Sequence, residues 1–204
     1  MAGNDELIAQ YREIHASQAY GDTSIKNLRF LRPEIKLLKP QSIIDYGCGQ
    51  SPLLEMLDLD YPVELHRYDP AIPAHSSKPE GKFDLLINVD VLEHIEESDL
   101  DDVISEMAGF AKNAIIIVDT APAKLVLPDG RNAHVTLHNH AWWKERLSRH
   151  FAHLEPIATA RRTRAGFKTW SRAGLADTLK YGAMRAGETM RHYGRRLTGS
   201  RDYR

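Results

Sequence analysis

Between residues 120 and 140 the chain collects Lys124, Asp129, Arg131, Asn132, His134, His138 and His140. Imidazoles titrate near neutral pH and suit removal of a proton from a hydroxyl. His134 and His138 are the candidates for that base. Arg131 and Lys124 suit an anionic group on a reacting molecule. Pro122, Pro128 and the pair Asp129-Gly130 punctuate the same stretch. A loop of this length in a compact domain is usually functional or disordered. A second group is Asp90, Glu93 and His94, which a helix places on one face because they are spaced i, i+3, i+4. One reading makes Asp90 a helix cap with Glu93 closing a capping box. The other makes the three residues a divalent metal site.

The third group surrounds a glycine turn. An apolar run at 42–45 ends in Asp45, and Gly47, Cys48, Gly49, Ser51 and Pro52 follow. Gly47 and Gly49 let the backbone turn tightly and approach a ligand that a Cβ would obstruct. Ser51 followed by Pro52 reads as a helix start, whose free N–H groups would face that ligand. Cys48, inside the turn, reads as a small packing residue. Asp69 stands 22 residues after Gly47, at the end of the next strand. An acidic side chain there accepts hydrogen bonds from ribose hydroxyls, or else caps the segment 70–72.

These groups need elements to hold them. Residues 5–18 read as a helix with Leu7, Ile8, Tyr11 and Ile14 on one face. Residues 24–38 read as a second helix, kinked or split by Pro33. Strands are expected at 42–45, 63–68, 83–89 and 114–118, with helices at 52–57, 100–112 and 141–148. Alternation of this kind argues for a parallel α/β sheet, whose ligands bind outside the carboxyl ends of the strands. Residues 154–160 and 166–170 read as two further strands joined by 161–165. Between Asp69 and Phe83 lie only 13 residues, including Pro70, Pro73, Pro79 and Gly81. A helix plus a further strand does not fit there.

Asp-x-Gly-x-Gly-x-Ser after an apolar strand resembles motif I of the class I S-adenosylmethionine (SAM) dependent methyltransferases. The run Phe83-Asp84 through Asp90-Val91-Leu92-Glu93-His94-Ile95 resembles motif IV and its sequel in small-molecule methyltransferases, notably the ubiquinone-pathway O-methyltransferases. The resemblance covers roughly residues 25–172. It implies a Rossmann-like, mostly parallel sheet closed by a C-terminal antiparallel hairpin, here with the third strand reduced or missing. It implies SAM as cofactor, held by Asp45, Gly47, Gly49, Ser51, Asp69, Asn88 and Asp90. Gly47 and Gly49 would cradle the methionine end, Asp69 the ribose, and segment 88–91 would lie along the cofactor. Adenine would rest on Ala71, Ile72 or the loop behind them. Tyr11 and Tyr20 would sit in a lid, and the 120–140 loop would roof the acceptor. Some ubiquinone-pathway relatives hold a metal with Glu-x-x-Glu-His, for which Asp90, Glu93 and His94 stand here. The capping box accounts for the same residues without a metal and is the favoured reading. The Asn/Asp-Pro-Pro-aromatic run of nucleic-acid adenine methyltransferases is absent, which argues against base methylation. A nicotinamide fingerprint would need glycine where Pro52 stands.

The 204 residues divide as a helical cap at 1–40, a methyltransferase core at 41–172 and a basic amphipathic tail at 173–204. The single cysteine fits a reducing cytoplasm. No stretch has the length of a membrane span or a signal-peptide core. From Arg161 onward there are 12 basic and three acidic residues, a balance of +9, against 15 basic and 25 acidic, −10, before it. In the tail Leu175, Leu179, Ala183, Ala186, Met190, Tyr193 and Leu197 form one apolar stripe. It suits docking on its own domain or on a twin subunit, which is the simplest reading. It also suits contact with an anionic membrane surface, and its charge suits steering of an anionic substrate. The expectation is methyl transfer to an oxygen of a small molecule or sugar, such as a cell-envelope glycan precursor. The alternative is a non-catalytic subunit of the same fold that acts through its basic tail.

Overall fold

The computed structural model describes residues 2–17 and 22–197. Six strands form one sheet in the order β2-β1-β3-β4-β6-β5. They are β1 Ser42–Tyr46, β2 Glu64–Tyr68, β3 Phe83–Val89, β4 Ala111–Asp119, β5 Glu155–Pro156 and β6 Arg164–Lys168. The first four are mutually parallel, and β6 runs antiparallel to both its neighbours. This is the expected Rossmann-like methyltransferase sheet with its terminal hairpin. No strand stands between β2 and β3, where the prolines leave only a 3-10 turn at Pro73–His75. β2 is therefore an edge, and Glu64, His66 and Arg67 supply the polar side chains that guard it.

Parallel strands covered on both faces read as continuous apolar runs. Alternate residues of β1, β3 and β4 serve the two faces. Ile44, Leu86, Ile116 and Val118 meet α3 (Leu100–Phe110) and α4 (His140–Ser148) through Ile104, Met107, Trp143 and Leu147. Ile43, Leu85, Ile87, Ile115 and Ile117 meet α2 (Leu28–Leu38) through Leu28, Leu31 and Ile35. Helix α1 (Ala2–Ser17) joins neither layer. Its Leu7 and Ile14 pack on Leu127 and Ala133 of the 120–140 loop. The helical segment before residue 40 thus splits between the sheet's core and a roof over its carboxyl edge.

Three local expectations are corrected. Pro33 does not split the second helix. The change comes at Asn27, where a 3-10 turn (Asp22–Asn27) hands over to α2, and α2 runs through Pro33. The amide that Pro33 lacks would bond the Arg29 carbonyl, and Arg185 donates to that carbonyl instead, at 2.6 Å. The helix expected at 52–57 is a turn followed by one 3-10 turn, Glu55–Leu57. Arg32 donates to the carbonyls of Met56 and Leu57 at its end. β5 is shorter than its expected seven residues, and β6 starts two residues early, at Arg164.

Helix α5 (Leu175–Leu197) lies outside α2. It docks with its polar face. Glu188 pairs with buried Arg32 at 3.0 Å, Arg185 lies 4.2 Å over the Phe30 ring and Arg172 3.7 Å over the Tyr181 ring. Leu175, Leu179, Met190 and Tyr193 are exposed, so the stripe does not dock on its own domain. Beneath this layer Lys168 of β6 and Glu34 of α2 form a fully buried ion pair at 3.1 Å. Among the described residues no helix is long and apolar enough to cross a membrane.

Candidate functional site

A cavity of about 750 Å³ opens at the carboxyl ends of β1 to β4, roofed by α1 and the 120–140 loop. Its floor is the glycine turn. Gly47 has φ +78° and Gly49 φ +50°, both in the region that favours glycine. A Cβ at Gly47 would lie 2.5 Å from a Val91 methyl. The Tyr68 carbonyl, at the end of β2, accepts from the amides of Gly47 and Cys48. Asp69 holds the turn from the other side. Its Oδ2 accepts from Gly49 N at 2.8 Å, and its Oδ1 from Ala71 N at 2.8 Å. Each oxygen keeps a second lone pair, and Asp69 lines the cavity.

Asp45 also lines the cavity, and its Oδ2 is buried with no hydrogen-bond partner. Burial raises its pKa to about 7, although nearby Arg67 pulls the other way. Such an acceptor suits an incoming cationic donor. Cys48 is buried and its thiol is pushed up to about 12 by desolvation, which fits the packing role. The Ser51 hydroxyl is engaged by the Ser24 hydroxyl at 2.5 Å and by Leu53 N at 3.1 Å. It closes the turn but heads no helix. Asn88 is fully buried, donates to the Tyr46 carbonyl at 2.9 Å and does not line the cavity. Val89, Asp90 and Val91 do line the cavity, as does Ala71 but not Ile72.

Asp90 does not cap a helix. Its φ is +56°, only one 3-10 turn (Leu92–His94) follows, and no side chain caps it. Asp90 instead meets Arg164 at 2.9 Å, and Arg164 reaches Asp119 at 3.3 Å. Glu93 accepts from Asp119 N at 2.7 Å. It is fully buried, and desolvation together with Asp90 raises its pKa well above the ordinary range. The capping box is thus replaced by links from this turn to β4 and β6.

The roof brings two histidines together. His94 Nδ1 lies 2.9 Å from the Ala133 carbonyl and 2.8 Å from the Tyr11 hydroxyl, which itself donates to Ala133 O at 2.6 Å. With the tyrosine proton committed to Ala133, Nδ1 of His94 carries its own proton. Burial and the adjacent His134 lower the His94 pKa to about 3. His134 Nδ1 lies 2.5 Å from the Ala121 carbonyl, an acceptor, so it too is protonated and the lone pair is at Nε2. Partial burial lowers the His134 pKa. The two rings stand edge to face, 4.8 Å apart. Donor atoms of Glu93, His94 and His134 all lie within 4.8 Å of one another. These three could hold a cation. Asp90 is not in this group, and its Oδ2 pairs with Arg164.

Two of the expected catalytic residues stand elsewhere. His138 stacks on Trp142 at 3.7 Å and bonds Glu97 at 2.9 Å. Arg131 is tied to Asp129 and Glu96. Neither lines the cavity, whereas Lys124 and His134 do. Tyr11 sits in the roof as expected, and Tyr20 falls outside the described residues. His15, Lys26, Arg161 and Arg164 also line the cavity and were not anticipated. His15 follows Tyr11 by four residues, so the helical spacing alone put it on the same face. Arg164 carried no local signal, since it lies in what reads as a closing hairpin.

A methyltransferase-domain family model matches residues 15–171. A comparison with curated protein sequences gives no match. Among solved structures, the 1,6-didemethyltoxoflavin-N1-methyltransferase of Burkholderia thailandensis, with 1,6-didemethyltoxoflavin and S-adenosylhomocysteine bound, is similar over 82% of this chain and 90% of its own. Its TM-score is 0.54 at 14% identity. PigF with S-adenosylhomocysteine is similar over 82% of this chain and 59% of its own, with TM-score 0.50 and 10% identity. The DhpI–S-adenosylhomocysteine complex covers 85% and 100%, with TM-score 0.48 and 13% identity. At these identities the likeness is one of fold.

Proposed function

Since the chain belongs to the class I SAM-dependent methyltransferases, with SAM as its cofactor, we propose that it methylates an oxygen of a small molecule or sugar. Bound SAM supplies a methyl group made electrophilic by its sulfonium. The residues of this chain do the rest. Gly47 and Gly49 admit the methionine end, and the unpartnered Asp45 Oδ2 accepts from its ammonium group. Asp69 offers its spare lone pairs to the ribose hydroxyls while its other contacts keep the turn in place. Helix α1, with Tyr11, covers the cavity and excludes water.

The observation that carries the choice of oxygen is the His134 ring. An alcohol must lose its proton as its oxygen attacks the methyl carbon and the C–S electron pair leaves with sulfur. His134 has Nδ1 fixed as a donor to Ala121 O, which leaves the Nε2 lone pair to take that proton. The test offers the enzyme SAM with panels of hydroxyl and amine acceptors and locates the new methyl group by NMR. Methyl ethers formed by the wild type and lost at least about a hundredfold in His134→Gln support the reading. N-methyl products that survive this substitution overturn it. A second reading is favoured by the three donors within 4.8 Å: Glu93, His94 and His134 hold a divalent cation that orients acceptor oxygens. Calorimetric Zn²⁺ or Mn²⁺ binding that disappears in His94→Ala would support it, since two imidazoles and a carboxylate suit such ions, and no binding of either by the wild type would remove it.

A further inference from the structure

Helix α5 turns its apolar side outward. On a wheel of 100° per residue, Tyr181, Met184, Arg185 and His192 lie within about 60° of Glu188, which faces α2. Leu175, Leu179, Ala183, Ala186, Met190 and Tyr193 lie within about 40° of the opposite direction. The four large ones are 76%, 65%, 75% and 53% exposed. Gly182 and Gly187 flank the middle of this stripe, and a Cβ on either would meet nothing within 4 Å. Nothing in a single chain therefore asks for glycine at two positions where it weakens the helix. A second backbone lying close against them would.

The stripe is also symmetric about the point between Met184 and Arg185. Ala183 and Ala186 are equidistant from it, as are Leu179 and Met190, and Leu175 is matched by Gly194 beside Tyr193. A two-fold axis requires that residue i meet j and j meet i. We propose that α5 is a dimer interface, in which a second copy of this chain packs its α5 antiparallel on the first. Leu179 then comes level with Met190 of the second copy, and Leu175 with its Gly194, next to Tyr193. The alanines and glycines between let the axes approach to about 8 Å. The two-fold leaves each sheet on the outer side of its own helix.

A lipid surface fits less well. A helix lying in a headgroup layer carries basic side chains beside its apolar face. Here one edge holds Thr178, Gly182 and Thr189, which are uncharged. On the other, Lys180 stands 3.9 Å from Asp177 and Arg191 3.1 Å from Glu188. The 23-residue helix is about 34 Å long. Two such faces in contact along that length have to bury roughly 1,000 Å² to form a specific interface.

Light scattering on the eluting full-length chain, loaded at up to about 100 μM, tests this. The expected mass is twice 23.1 kDa. Met190→Glu and Ala186→Glu should each return it to 23.1 kDa without changing the circular dichroism spectrum. Cys48 is the sole cysteine and is buried, so mild oxidation of Ala183→Cys/Ala186→Cys should yield a covalent dimer. A monomer at the highest concentration overturns the proposal. So does a dimer indifferent to both glutamates, and so does a monomeric chain that floats with vesicles of mixed zwitterionic and anionic phospholipid.

Discussion

The carboxyl edge of the sheet and the outer helix α5 use polar residues in opposite ways. At the edge, apolar strands are buried and the charged groups at their ends line a hollow. Asp45 keeps an oxygen without a partner there. In α5 the charged groups that face the domain are satisfied by protein, buried Glu188 by Arg32 and half-buried Arg185 by the Arg29 carbonyl, while the large apolar side chains of the stripe face out. A buried polar group left open points to a ligand. A buried polar group that is closed points to architecture, and the surface left over is then the one to question.

The largest effect should come from opening the closed region. Glu188→Ala leaves the Arg32 guanidinium buried without its carboxylate and should cost about 3–5 kcal/mol, read by urea denaturation. A cost under about 1 kcal/mol would mean that the pair behaves like a surface one. Next comes the edge. Gly47→Ala combines φ +78° with a Cβ 2.5 Å from Val91. It should cost about 1–3 kcal/mol and abolish S-adenosylhomocysteine binding, whereas a variant that binds normally would remove the turn from the cofactor's floor. The smallest effect belongs to the outward stripe. Met190→Ser should change the stability of the isolated chain by less than about 0.5 kcal/mol, which sets the two faces of one helix apart by several-fold.

The same contrast explains what could be read from the sequence. Strands β1 to β4 were legible because double-sided burial makes each an apolar run, and the lost third strand because four turn residues crowd 13 positions. The glycine turn and Asp69 were legible because φ and spacing are local properties. The partners of Asp90 and Glu93 were not. Local pattern offered a capping box, and tertiary contact with Arg164 and with Asp119 N overrode it. His134 and His138 are four residues apart and chemically alike, and only tertiary contacts separate them: His134 is held at the cavity by Ala121 O, and His138 is drawn to Glu97 and Trp142. The stripe of α5 was legible as apolar, and of the two docking readings the one on its own domain does not hold, because an amphipathic helix normally buries that face and this one buries Glu188 against Arg32 instead.

Asp45 gives the account its sharpest handle. Burial raises its pKa from 3.8 to about 7. The folded chain thus keeps a proton that the unfolded chain has released, so this group lowers stability as pH rises from about 4 to 7. On the proposed placement of the cofactor, binding runs the other way, since its ammonium group would pair with the carboxylate. The direct test is calorimetric titration with S-adenosylhomocysteine at pH 6 and pH 8, for the wild type and Asp45→Asn. The wild type should bind about tenfold tighter at the higher pH, a difference of about 1.4 kcal/mol, and the variant should bind more weakly with no such gain. No binding by the folded wild type, or the same pH response in both proteins, would contradict the placement of the cofactor on this edge.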